Sequence, residues 1–197
     1  MELGRRFDLV TSQYGVEYTD WDKAGERISA HLKPGGYFQI ITHAPDTDIT
    51  HYMKQERFEY DSLKRLEFFI QVKLVLSQQL KYSDFKRYVK KLTKQLKANS
   101  KLKRSPLIIG VMNFCNHTLN TSEDQFNAER NMLSNFYIDH LSAYQRLVDI
   151  LTVSERIEAN PAWYQIFSRY HLDLVERQEI YQHAEHLAGI GLLFKRN

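Results

Sequence analysis

The stretch from Phe7 to His43, FDLVTSQYGVEYTDWDKAGERISAHLKPGGYFQIITH, constrains the fold more than any other part of the chain. Two short apolar runs, Phe7-Asp8-Leu9-Val10-Thr11 and Tyr37-Phe38-Gln39-Ile40-Ile41, carry the branched and aromatic residues that suit strands. Between them Asp20 or Asp22 offers a carboxylate cap for a helix whose Ala24, Ile28 and Leu32 recur on one face. Lys33-Pro34-Gly35-Gly36 then reads as a tight turn. Strand, helix, turn and strand make one βαβ unit, so the two strands are expected to be parallel and joined by a right-handed crossover.

The Phe7–Val10 strand, the loop Ser12-Gln13-Tyr14-Gly15-Val16-Glu17-Tyr18 and the run His31-Leu32-Lys33-Pro34-Gly35-Gly36 have a counterpart. They resemble the fourth and fifth strands of a class I, Rossmann-like S-adenosylmethionine-dependent methyltransferase, with Leu32 to Gly36 the most specific part of the match. That family holds its methyl donor mainly with the first half of its sheet, through a glycine-rich loop after strand one and an acidic residue ending strand two. Here Met1 stands six residues before the fourth-strand match, and the one Gly-x-Gly pattern, Gly189-Ile190-Gly191, lies at the other end of the chain. The resemblance therefore implies the C-terminal portion of such an enzyme, without its main donor-binding half.

The fold expected is α/β: a partial Rossmann-like sheet of about three strands with a large helical insertion or cap. Residues 1–48 form the strand-helix-strand core, 49–188 the helical insertion, and 189–197 a closing strand that returns to the sheet. Within the insertion, Ser62 caps a helix through Leu80 that is apolar nearly all round. Ser83 caps the next, with Phe85, Val89, Leu92 and Leu96 on one face. Residues 99–106 are a polar, basic linker, and Leu107 to Phe114 is a short apolar run that suits a strand or a buried helix, with helix preferred. Ser122 and Gln125 form a capping-box pattern before one long helix or two in series. Asn160-Pro161 starts a last helix that runs to about Leu187, where Gly189 ends it. Three strands make a poor sheet, and neighbouring parallel strands leave unpaired edges, so further strands are expected from elsewhere.

In open α/β sheets, ligands sit beyond the carboxyl ends of the strands, here the loop Ser12 to Tyr18 and the loop Thr42-His43-Ala44. By the resemblance Ser12, Gln13 and Tyr14 line the donor, S-adenosylmethionine, while Glu17, Tyr18 and His43 face a small-molecule acceptor. His43 or Glu17 is the candidate general base for a hydroxyl or amine acceptor, although methyl transfer also proceeds by positioning alone. The competing reading makes Glu17 and Tyr18 braces of the turn. The resemblance implies a methyltransferase; the alternative is a non-catalytic interaction or scaffold protein derived from one, completed by a partner chain or as a homodimer.

Lys81 to Arg104 holds ten lysines and arginines against Asp84 alone. Such density suits phosphates of a nucleic acid or an anionic membrane surface, with Lys86, Arg87, Lys90, Lys91 and Lys94 as the contacts. The lysines avoid the Phe85, Val89, Leu92, Leu96 stripe, however, as on any solvated amphipathic face, and that reading is preferred. His183-Ala184-Glu185-His186 falls one residue short of an inverted zinc motif and is read as a solvated helix end, with no metal expected. The one cysteine, Cys115, permits no internal disulfide and is expected to pack in the interior. No apolar run approaches the ~18 residues of a membrane span, and the first residues lack the apolar core of a signal peptide, so a cytoplasmic protein is expected.

Overall fold

A computed structural model describes residues 5–99, 102, 105–183 and 185–197. The chain is mixed α/β and divides into two compact units, residues 1–52 with 149–197 and residues 53–148.

The first unit holds a four-stranded sheet in the order β1-β2-β4-β3. Strand β1 (Phe7–Gln13) and β2 (Leu32–His43) are parallel, and α1 (Trp21–His31) connects them. Asp20 is the cap of α1, its carboxylate accepting from the Lys23 amide at 3.2 Å, and Asp22 sits in the first turn. Ala24 and Ile28 turn toward the core as their spacing predicts, while Leu32 already begins the next strand. The Lys33 to Gly36 turn lies inside β2 rather than before it. Phe7 pairs with Leu32 and Leu9 with Tyr37, so residues 33–36 are looped out of the ladder. Gly35 makes the excursion possible, with φ of +76° in the left-handed region where a Cβ is disfavoured.

The largest correction concerns residues 160–187. In place of a helix to Leu187, the chain makes a 3₁₀ segment over Trp163–Tyr170 and then strand β3 (Leu172–Gln182). The 3₁₀ segment closes on His171 in the left-handed conformation, φ +59°, which redirects the chain into the strand. The expected closing strand is present and longer: β4 (His186–Arg196) runs antiparallel to β2, Tyr37 pairing with Lys195 and His43 with Gly189. It also pairs antiparallel with β3, so the sheet has four strands rather than three. His183 and His186 thus flank a hairpin turn rather than ending a helix; Ala184, between them, lies outside the described residues.

Alternation explains which face is buried. Phe38 and Ile40 from β2, Leu192 and Phe194 from β4, and Leu172 from β3 meet Val153, Ile157, Trp163 and Phe167 in one cluster. Phe167 packs edge-on against Phe38 at 5.5 Å and against Phe194 at 5.4 Å, and Phe38 stacks on Phe194 at 5.9 Å. On the opposite face Tyr37 and Gln39 are exposed. Strand β1 is one edge of the sheet and β3 the other, and Leu9 of β1 is 52% exposed.

The second unit is helical. Helix α2 (Asp48–Arg65) enters it and α7 (Arg130–Ala159) leaves it, with α3 (Phe68–Leu76), α4 (Tyr82–Ala98), α5 (Pro106–Asn120) and α6 (Glu123–Ala128) between. Ser62 is no cap: it lies inside α2 and its hydroxyl donates to the Phe58 carbonyl at 2.8 Å. The break comes at Glu67, φ +60°, which starts α3 from the left-handed region. Lys81, not Ser83, precedes α4, whose Phe85, Val89, Leu92 and Leu96 are all buried as their spacing predicts. Residues 107–114 are helical, within α5, which Ser105 caps by accepting from the Ile108 amide. Ser122 accepts from the Gln125 amide at 3.2 Å, and the expected long helix is the pair α6 and α7. Cys115 is fully buried, and burial pushes its thiol up to about 12.

Candidate functional site

The carboxyl ends of β1 and β2 lie side by side, Gln13 paired with Ile41, and the loops that follow them meet. After Gln13 the chain enters the left-handed region at Tyr14, φ +49°, held by its amide donating to the Ile41 carbonyl at 2.7 Å. A non-glycine residue in that conformation is costly, and such strain concentrates at ligand clamps and active sites. The turn continues into a short 3₁₀ segment, Val16–Tyr18, whose first amide donates to the Ser12 hydroxyl at 2.9 Å.

Tyr14, Glu17, Tyr18 and His43 are thereby gathered around one imidazole. The Tyr14 ring stacks on His43 with centroids 4.7 Å apart and planes at 29°. The Tyr18 hydroxyl lies 3.1 Å from His43 Nε2. Glu17 Oε1 accepts from the His43 backbone amide at 3.3 Å and stands 4.0 Å from Nε2. Glu17 is fully buried, and its second oxygen, Oε2, has no hydrogen-bond partner. The neighbouring Thr42 hydroxyl is also buried without a partner.

Burial pushes His43 below the ordinary histidine range; the Glu17 carboxylate opposes that shift without cancelling it. The imidazole is therefore neutral at pH 7 and has a lone pair to offer. Burial, then Glu17 and Asp149, push Tyr18 up, so it stays a phenol. A neutral histidine beside a buried carboxylate is suited to accept a proton, because the carboxylate stabilises the imidazolium that results.

The sequence-based candidates are therefore not equal. His43, Glu17, Tyr18 and Tyr14 come together. Gln13 ends the strand with its side chain exposed. Ser12 belongs to the brace of the loop, since its hydroxyl already serves the Val16 amide.

Two contributors carry no local sequence signal. Arg156, on α7, donates to the Glu17 carbonyl and to the Thr19 carbonyl at 3.1 Å, and its guanidinium lies 4.0 Å from the Trp21 ring centroid. It fixes the loop from well over a hundred positions away in sequence. Gly189, read from sequence as a helix terminator, is the strand partner of His43. A Cβ there would stand 2.7 Å from the Thr42 carbonyl oxygen and 3.2 Å from the Tyr14 hydroxyl, so only glycine lets β4 pass under Tyr14.

The basic helix presents Arg87, Lys90, Lys91, Lys94 and Lys97 to solvent. Arg87 pairs with Asp84, and Lys86 is half-buried and donates to the Thr121 carbonyl at 3.0 Å. Lys101, Lys103 and Arg104 lie outside the described residues. Among the described residues, no three His, Cys, Asp or Glu side chains gather as a metal site, and no helix is long and apolar enough to cross a membrane.

Comparison of the chain with protein-family models, curated proteins and solved structures gave no match.

Proposed function

We propose that this chain is the acceptor-side half of an S-adenosylmethionine-dependent methyltransferase acting on a small molecule. The observation that carries the reading is the junction of the two parallel strands, where Tyr14, Glu17, Tyr18 and His43 converge at the carboxyl ends of β1 and β2. The sheet supports it further. Its last strand, β4, runs antiparallel beside β2, as the resemblance to class I methyltransferases leads one to expect.

The residues fit one end of such a donor. Tyr14 and His43 offer aromatic faces, and the unpartnered Glu17 Oε2 a buried negative charge, which together suit a cationic sulfonium centre. When bound, the donor supplies an electrophilic methyl group. Tyr14, with Gln13 beside it, would hold that end. The glycine-rich loop for the remainder is not found in this sequence. The open edge of β1 is where another segment or chain bringing it would add a strand.

The chain's own residues divide the work as follows. Arg156 and Ser12 hold the loop in place. Tyr18 orients the imidazole through Nε2. His43 takes the proton from an acceptor hydroxyl or amine that comes within hydrogen-bond reach, and Glu17 stabilises the charge this leaves. Tyr14→Ala removes the stacked face, so it is expected to weaken calorimetric binding of S-adenosylhomocysteine about tenfold, the equivalent of ~1.4 kcal/mol. Equal affinity of both proteins would remove Tyr14 from the donor site.

The second reading, an interaction protein without catalysis, rests on the same β1 edge, where Phe7 and Leu9 are 38% and 52% exposed. It predicts partner pairing without any response to the donor product.

A further inference from the structure

The helical unit contains a cavity of about 540 Å³ between α3 and α7, within the ~300–1,000 Å³ of small-ligand sites. It is independent of the methyl-transfer reading, because every residue lining it belongs to residues 53–148.

Its body is apolar. Ile70 and Leu74 from α3 face Leu141 and Tyr137 from α7 across it. Ile70 is 57% exposed and Leu141 37%, a cost in water that an apolar occupant would relieve. The charged lining is net cationic. Lys64 and Lys73 line the cavity against one acid, Glu67. The two lysines differ in what holds them. The Lys64 ammonium donates to the Tyr144 hydroxyl at 3.2 Å and lies 4.7 Å from that ring's centroid, and the Tyr144 hydroxyl donates in turn to Asp61 at 2.9 Å. Lys64 is thus tied into a chain that ends on a carboxylate. The exposed Lys73 ammonium makes no hydrogen bond or ion pair among the described residues, and it lies on the same side of α3 as Ile70 and Leu74.

We infer that this cavity binds an apolar carboxylic acid, its hydrocarbon or aromatic body against Ile70, Leu74 and Leu141 and its carboxylate on Lys73. A cation of the same shape would find Lys73 and Lys64 opposing it. A neutral molecule would gain the apolar contact and leave the Lys73 charge unanswered.

The test is calorimetric titration of the full chain with decanoate and with decyltrimethylammonium, both below their micellar concentrations. Decanoate is expected to bind at least about tenfold more tightly, the scale of one charge-assisted hydrogen bond. Ile70→Asp is expected to abolish decanoate binding, and Lys73→Gln to bring the two ligands within about twofold of each other. Both positions are exposed, and an unchanged circular dichroism spectrum establishes that the variants fold. Equal binding of the cation, no binding of decanoate, or decanoate affinity indifferent to both substitutions overturns the inference. If sedimentation shows wild type as a dimer and Ile70→Asp as a monomer, a second copy fills the groove and the acid assignment fails.

Discussion

In the helical unit the buried hydroxyls of Tyr82, Thr93 and Thr118 each donate to a backbone carbonyl, at 2.8, 2.9 and 3.0 Å. In the sheet unit Glu17 Oε2, Thr42 Oγ1, Ser154 Oγ and Arg196 Nε are buried with no partner, and among the described residues no such atom occurs in the helical unit. Buried polar groups are ordinarily satisfied, and the exceptions ask for a reason. Two of the four, Glu17 and Thr42, belong to the loops at the carboxyl ends of β1 and β2. The helical unit has resolved its polar groups in favour of stability. The sheet unit keeps four unpartnered, two of them at the ends of β1 and β2.

The two apolar cores provide a baseline for these polar differences. Phe38 in the sheet unit and Phe85 in the helical unit are both fully buried. Phe38→Ala and Phe85→Ala are each expected to cost ~3–5 kcal/mol in urea denaturation. A cost below 1 kcal/mol at Phe38 alone would mean that the sheet core, and not its polar groups, is the weak part.

Substitutions of polar groups come next in size, and their signs should differ. Tyr82→Phe removes the hydroxyl that serves the Thr118 carbonyl, while Lys86 still donates to the Thr121 carbonyl, at a cost of ~1–3 kcal/mol. Glu17→Gln removes a buried charge that is only half satisfied, and it is expected to stabilise the fold by ~1 kcal/mol while weakening any response to the donor product. Destabilisation by Glu17→Gln as large as that of Tyr82→Phe would make Glu17 a brace of its turn and break the contrast.

The smallest effect sharpens the comparison by showing where the units agree. Burial holds His43 in one unit and His140 in the other below the ordinary histidine range. As pH falls, the unfolded chain takes up these protons first, so stability present above about pH 6.5 is lost progressively below it. His43→Gln and His140→Gln should each flatten the acid limb of the unfolding midpoint against pH. An unchanged limb in both would place those losses elsewhere.

Legibility in the sequence follows the same physical division. The stripe Phe85, Val89, Leu92 and Leu96 was readable because one helix decides its own amphipathic face. The βαβ unit was readable from its two apolar runs and the Asp20 cap. Strand β3 was not, because it lies at the edge of the sheet and is exposed over most of its length. It shows no alternation, and only its pairing with β4 makes it a strand. The break at Glu67 has no glycine to announce it. Within the candidate site, the rule that ligands gather at strand ends pointed to the two loops that hold Tyr14, Glu17, Tyr18 and His43, and the resemblance supplied the roles expected of them. Arg156 and Gly189 did not, since each acts on residues distant in sequence, through contacts that exist only after folding.

Amide chemical-shift mapping with S-adenosylhomocysteine tests most directly the proposed contact between a methyl donor and the ends of β1 and β2. Saturable shifts confined to Ser12 through Tyr18 and to Thr42 and His43, and reduced in Tyr14→Ala, are expected. No shifts at millimolar ligand, or shifts only in residues 53–148, would contradict it.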